Sequence, residues 1–299
     1  MFIVAHRRFF FWLTGLLLGL AIASLAFFGL PLGIDFTGGS LMQVSYESER
    51  PTISAIEEEV RNLALGAVSV RAFGESGVSI RARSLSPEEH TLLLSALSKE
   101  SAVTELSFTS VGPTLGAEFA RKALTALAVV VLGIALYIAF VFRKVSRPVP
   151  SWGYGLTVVA MLAIDIIVPA GFFAAYARMT GAEVDSLFVV AMLALLGYVI
   201  NDVIVVFDRV RERLSHNQKT NTHEDFSETV GHAIDQTLGR SINTSLTVVL
   251  ALVALVFFGA EATKNFALVM LVGVIAGTFS SICRSAPLLI PLARWLGKA

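Results

Sequence analysis

Gly197-Tyr198-Val199-Ile200-Asn201-Asp202-Val203-Ile204-Val205-Val206-Phe207-Asp208-Arg209 sets a carboxylate inside a stretch that otherwise reads as a membrane-spanning helix. Apolar residues run from Leu187 to Ile200, and Val203 to Phe207 continue beyond Asp202. A charge at that depth costs several kcal/mol unless it is paired, neutralised or hydrated. A chain carries such a residue to move ions, to line a substrate path or to fix a helix contact.

The rest of the chain agrees with a membrane setting. Of 299 residues, 55% are hydrophobic and only 15% charged, which is outside the range of an ordinary soluble domain. The formal net charge is zero, so nothing points to nucleic acid. A single cysteine, Cys283, excludes an intrachain disulfide and argues against a metal–thiolate cluster. No zinc, phosphate-loop or dinucleotide spacing is present, so no metal, cofactor or hydrolytic chemistry is expected.

Apolar runs of about 20 residues mark spans. They fall at 9–30, 123–142, 154–176, 187–207, 241–258 and 266–295, the last able to tilt or to break near Pro287 and Pro291. Arg7 and Arg8 before the first run, with Ala21 and Ala23 inside it, imitate a signal peptide. The run is too long for that, and five more follow, so a retained anchor is expected. Lys and Arg gather in one set of short loops (Arg7, Arg8, Arg143, Lys144, Arg147, Arg209, Arg211, Arg213, Lys219, Arg294, Lys298), which makes both termini cytoplasmic. The expected layout is residues 1–32 for the N-terminus and first span and 33–120 for an outward domain. Residues 121–299 hold the remaining spans, with a cytoplasmic amphipathic loop at about 208–238.

In the outward segment the period changes. Met42, Val44 and Tyr46 alternate as on a half-buried strand, and Ile53, Ile56, Val60 and Leu63 recur at helical spacing, with Ser54 and Glu57 offering a capping box. Residues 68–73 and 78–82 read as strands joined by a turn at 74–77, Ser86-Pro87-Glu88-Glu89 opens a second helix, and 103–111 closes the pattern. The order β-α-β-β-α-β is the ferredoxin-like split unit. Such a unit is either a folded spacer or a surface that meets a partner or passing substrate. Ahead of it, Gly33-Ile34-Asp35-Phe36-Thr37-Gly38-Gly39 reads as a structural turn in which Asp35 bonds neighbouring backbone N–H groups.

Further polar residues lie at membrane depth. Arg240, Thr244 and Thr247 share one helical stripe in the fifth span, beside Asn243, at a depth that matches Asn201 and Asp202 in the fourth. Desolvation raises a carboxylate's pKa and a neighbouring guanidinium lowers it, so a movable Arg240 would switch Asp202 between binding and releasing a proton. The static alternative is an Asp202–Arg240 bridge that locks two helices. Asp165 is a second intramembrane acid that either joins the relay or satisfies polar groups of a neighbouring helix. Gly277-Thr278-Phe279-Ser280-Ser281 reads as a packing stretch, and Arg284 one turn on is expected to snorkel toward the cytoplasm. Phe226, Val230, Ile234 and Leu238 predict an amphipathic helix at the membrane surface or against a partner; His216, His223 and His232 read as solvated.

Gly33 to Gly39 after the first span, Gly197 to Glu212 in the fourth and Arg240 to Thr247 in the fifth resemble the SecF family. SecF is the smaller half of the bacterial SecDF protein-export machine, related to resistance-nodulation-division (RND) transporters. The resemblance covers nearly the whole chain. It implies an α-helical polytopic protein whose six helices are half of a twelve-helix RND-type core, placed in the bacterial inner membrane, with a periplasmic or extracellular ferredoxin-like domain. It implies proton-motive-force-driven help to preprotein export, with protons as coupling ion and no other cofactor. The implied partners are SecD, the SecYEG translocon, YajC, a preprotein substrate and membrane lipids. By the same resemblance, Asp202 carries the proton, Arg240 works with it, and Thr244 stands nearby. Asn201 and Asn243 are supporting polar residues, and Gly33, Asp35, Gly38 and Gly39 form a structural motif. The acid matching Asp165 usually follows a histidine; Ile164 stands there in this chain. Arg284 stands where a small or apolar residue is usual.

Two other readings compete: a half-size RND-like exporter of lipids or small molecules, and a scaffold for SecD whose own acid is idle. An intramembrane aspartyl protease is weaker, because neither Asp165 nor Asp202 lies in the motif context it needs.

Overall fold

The structure, a computed structural model, describes residues 2–74, 76–99, 101–144, 148–222 and 224–296. In chain order the elements are α1 (Phe2–Ala5), α2 (Arg7–Phe28), α3 (Ile34–Thr37), β1 (Gly39–Tyr46), α4 (Ile53–Arg61), β2 (Ser69–Phe73), β3 (Gly77–Ala82), α5 (Pro87–Leu97) and β4 (Val103–Val111). Then follow α6 (Pro113–Val141), α7 (Ser151–Thr180), α8 (Ser186–Thr220), α9 (Phe226–Phe258), α10 (Glu261–Ser280), a π-helical turn (Ser281–Ser285) and α11 (Ala286–Trp295). They form two units: one of Pro31–Leu124 with Glu183–Ser186, the other of Met1–Leu30, Thr125–Ala182 and Leu187–Ala299.

The smaller unit is an antiparallel sheet in the order β2-β3-β1-β4, with α4 and α5 on one face. Met42, Val44 and Tyr46 of β1, with Val70, Val78 and Ile80 from its neighbours, bury themselves against Ile56, Val60, Leu93 and Leu97. The opposite face is polar. There Arg81 and Arg71 reach Glu183 at 2.8 and 3.5 Å. The chain is therefore ferredoxin-like here, as the alternation predicts. The cap of α4 is corrected: Thr52, and not Ser54, precedes the helix, and its hydroxyl accepts from Ala55 N. Pro51 fixes the extended entry, so Ser54 falls inside the first turn. The Ser86–Glu89 capping box on α5 is present, with Pro87 at its first position. Of the expected turn at 74–77, Glu75 lies outside the described residues.

The glycine motif is a short helix rather than a plain turn. Gly33 and Gly38 cap α3, and Gly38 (φ +75°) and Gly39 (φ +128°) hold backbone conformations that side chains resist. A Cβ on Gly38 would stand 2.7 Å from Pro113 Cα, and one on Gly116 would stand 2.7 Å from Gly38 N. Asp35 does not serve its neighbours in sequence. Its Oδ2 accepts from Ser186 N at 2.7 Å, at the start of α8.

In the larger unit, among the described residues six helices are long and apolar enough to cross a membrane: α2, α6, α7, α8, α9 and α10 with its continuation to Trp295. α7, α8 and α10 supply most of the buried side chains; α2, α6 and α9 leave much of their surface uncovered. α2 crosses α7 closely, since a Cβ on Gly171 would lie 2.5 Å from Ala21 Cα, and Ser24 Oγ donates to Gly171 O at 2.7 Å.

Two expectations are corrected. The amphipathic segment after Phe226 is no separate surface helix: it is the first third of α9, unbroken through Gly239 and Arg240, and Phe226, Val230 and Ile234 are buried beside α1 and α11. Nothing in 226–240 stops a helix, so the backbone continues. The sixth span does not break at its prolines: it runs on from Glu261 to Trp295, and only its hydrogen-bond pattern shifts, at a π-turn just before Pro287. Proline lacks the N–H that would serve the Cys283 carbonyl one turn back. Of the loop histidines, His216 is exposed, His232 Nε2 lies 3.5 Å from Glu224 Oε1, and His223 is outside the described residues.

Candidate functional site

α8 and α10 pack through a ladder of one-turn steps. A Cβ on Gly273 would meet Leu195 Cδ2 at 2.4 Å, and one on Gly277 would meet Val199 Cγ2 at 2.3 Å. Only glycine at both positions lets the helices approach so closely, with the aliphatic knobs of α8 seated on bare backbone. The next rung is polar: Ser281 Oγ donates to Asp202 Oδ2 at 3.3 Å, and only 7% of Asp202 is exposed. The apolar rungs thus set the register that brings a hydroxyl to the carboxylate.

The expected contact with Arg240 is not made. Among the described residues, no ion pair joins Asp202 to Arg240, and Arg240 is exposed. The reason is the face each occupies. Asp202 meets Ser281 in the α8–α10 contact, while Arg240 lies on the exposed stripe of α9. Asn243, Thr244 and Thr247 are exposed on that stripe, and Asn201 is exposed beside Asp202. Thr247 turns its hydroxyl back to Thr244 O at 2.7 Å.

A second polar cluster ties three helices. Tyr198 OH donates to Ser245 Oγ at 3.0 Å, and Thr278 Oγ1 lies 2.7 Å from the same oxygen, joining α8, α9 and α10. Tyr198, Ser245, Thr278 and Ser281 were not singled out as site residues from sequence. Thr278 and Ser281 lie in the hydroxyl-rich run 277–281, which reads as packing and serves both packing and hydrogen bonding.

The outcome for Arg284 is a correction. It does not snorkel: it is buried, and its Nη2 donates to Asp165 Oδ1 at 3.0 Å and also to Ser280 Oγ. Its place on the π-turn aims it across at α7, where Asp165 is 1% exposed. Each charge compensates the other in this buried setting, and removing either partner would leave an unpaired charge there.

Ser281 has one proton and two acceptors, Asp202 Oδ2 at 3.3 Å and Thr278 O at 2.9 Å. An ionised Asp202 draws that proton to itself. A protonated Asp202 instead donates to Ser281 Oγ, which turns its own proton to Thr278 O. Oδ2 of the carboxyl group therefore has a hydrogen-bond partner in both states. Among the described residues no group of three His, Cys, Asp or Glu side chains is arranged to hold a metal ion. Gly33, Asp35, Gly38 and Gly39 belong to the smaller unit and carry no part of this cluster.

Comparison with known proteins places the whole chain. A family model described as protein export membrane protein SecD/SecF, C-terminal, matches residues 93–295, and the SecD/SecF GG motif matches 23–49. A protein translocase subunit SecF of Thermobaculum terrenum is 38% identical over 96% of this chain and 92% of its own. A protein translocase subunit SecDF of Bacillus subtilis is 32% identical, and there the match takes 98% of this chain but 38% of the relative. The crystal structure of SecDF from Thermus, described as a translocon-associated membrane protein, superposes with a TM-score of 0.83 at 30% identity, over 97% of this chain and 38% of that one.

Proposed function

This chain belongs to the SecD/SecF family of protein-export membrane proteins, and we propose that it is the half of a proton-driven export machine that carries the titrating acid. The observation that supports this reading is a stripe of polar side chains that is exposed among the described residues. Asn201, Arg240, Asn243, Thr244 and Thr247 are exposed on helices long and apolar enough to span a membrane, next to the buried Asp202. Lipid cannot satisfy a guanidinium and two amides, so a second protein surface with complementary polar groups must cover them.

A SecD-like half is the fitting cover. In SecDF relatives the region matched by this chain is 38% of one longer polypeptide, which leaves room for a second set of helices. On this reading Asp202 takes a proton from the outward side and releases it inward. Arg240, drawn toward Asp202 when it is ionised and away when it is neutral, converts the proton's passage into helix movement. Thr244, one turn along from Arg240, offers the guanidinium an alternative hydrogen-bond acceptor. About 2.3 kcal/mol per charge per 100 mV is available to bias that cycle. The smaller unit, facing outward with both termini cytoplasmic, would follow the movement and act on preprotein leaving a SecYEG channel. The machine would have no hydrolytic chemistry of its own and no cofactor beyond the coupling proton.

A photo-crosslinker at Asn243 or Thr247, in cells that hold the full complex, tests the interface. Crosslinks to a SecD-like chain are expected; crosslinks to lipid alone at both positions would leave the stripe without a partner and sink the two-half reading.

A further inference from the structure

Arg284 and Asp165 stand outside the relay just described, yet they make the most deeply buried ion pair among the described residues. Each end of the pair sits on a loosened turn. Pro169 inside α7 has no N–H for the carbonyl of Asp165, and Pro287 has none for Cys283 in the π-turn. Two turns with missing backbone bonds face one another, and the Arg284–Asp165 contact, at 3.0 Å, is the polar tie across them. Arg284 also donates to Ser280, whose neighbour Ser281 bonds Asp202, and Ser285 Oγ returns to Ser281 O. A continuous chain therefore runs Asp165–Arg284–Ser280, then along the backbone to Ser281 and Asp202, linking α7, the π-turn and α8.

We infer that Arg284 is a positioning residue for Asp202: paired with Asp165, it fixes the π-turn 281–285 against α7 and so holds the Ser281 hydroxyl on the Asp202 carboxylate. The role in export rests on the reading of Asp202 as the titrating acid; the geometry of the clamp does not. The pair is static in this account.

The test separates the two claims by reading Asp202 directly. In the complex with its partner half, reconstituted in lipid and labelled at aspartate with 13C, the Asp202 carboxylate band is assigned by its loss in Asp202→Asn. Ser281→Ala removes the hydroxyl and is expected to shift that band. Arg284→Lys keeps the charge but ends in a shorter ammonium without the guanidinium's reach and planar fork, and is expected to shift it in the same direction. The double variant is expected to shift no further than Ser281→Ala. Export by the same complexes should fall about tenfold in each single variant and no further in the double, the scale of one lost hydrogen bond to a charged group. A wild-type Asp202 band in Arg284→Lys, or shifts that add in the double variant, would overturn the clamp. If Arg284→Lys does not assemble, Asp165→Asn is read in the same way, a shifted band supporting the clamp and an unshifted one overturning it. Normal export by Asp202→Asn would instead remove the relay while leaving the band comparison intact.

Discussion

Arg284 Nη2 donates to Asp165 Oδ1 at 3.0 Å, and the two side chains are 5% and 1% exposed. Among the described residues, Arg284 Nε and Asp165 Oδ2 have no hydrogen-bond partner. The pair is thus one strong contact between two groups that are each only partly satisfied. Breaking it by removing one partner strands the other charge in a packed, apolar surrounding.

Arg284→Met is therefore expected to lower stability by about 3–5 kcal/mol, and Asp165→Leu/Arg284→Met to recover most of that loss. Thermal aggregation of the detergent-solubilised complex reads both. Equal damage in the single and double variants would mean that packing, and not the uncompensated charge, sets the cost.

The ladder between α8 and α10 gives a second test. Gly277→Ala places a methyl 2.3 Å from Val199 Cγ2, an overpacking worth about 1–3 kcal/mol. Val199→Ala in the same chain opens the space and is expected to restore abundance. Gly277→Ala with wild-type abundance would show that the helices can move apart without loss.

The glycine motif is read in the same way in the smaller unit. Gly38→Ala forces a side chain into an extended positive-φ conformation (φ +75°, ψ 166°) that is nearly glycine-only, at about 1–3 kcal/mol, and meets Pro113 Cα at 2.7 Å. Asp35→Ala loses a hydrogen bond from Ser186 N to a carboxylate, worth about 1.5–3 kcal/mol. Both should speed protease cleavage within 31–124 in intact membranes, Asp35→Asn less than Asp35→Ala. Cleavage at the wild-type rate in Asp35→Ala would show that the Ser186 contact bears no stability.

Much of this was legible in the sequence, for identifiable reasons. The alternation at Met42, Val44 and Tyr46, and the Ser86–Glu89 box, are local patterns with a single physical solution. Apolar length gave the spans, because lipid thickness leaves few choices. Depth along two helices says nothing of rotation about them, so the sequence alone does not show whether Asp202 and Arg240 touch; among the described residues they form no ion pair. Arg240 and Asp202 are level in sequence and turn to different faces. The pairing of Arg284 is not legible in the sequence because its partner is 119 residues away on α7. Ser281 was missed because small hydroxyl residues serve packing and hydrogen bonding alike.

The smaller unit also carries a pH prediction. A hydrogen bond from Arg83, then one from Ser86 N, holds Glu89 down at about 2 from an ordinary value of 4.5. A lowered carboxylate stabilises the fold above its unfolded pKa and loses that contribution as pH falls through its folded one. Protection of the α5 amides is therefore expected to be flat above about pH 5 and to fall between about pH 4.5 and 2. Glu89→Gln should flatten the profile. An unchanged acid limb in that variant would assign it to other groups.

The central claim is that Asp202 carries the proton that drives export. Its most direct measurement is preprotein movement across vesicles holding the complex with Asp202→Asn, at matched abundance and assembly, with and without an imposed proton gradient. The expected result is a rate that no longer responds to the gradient while gradient-independent movement persists. Acceleration by the gradient equal to that of the wild type would contradict the account.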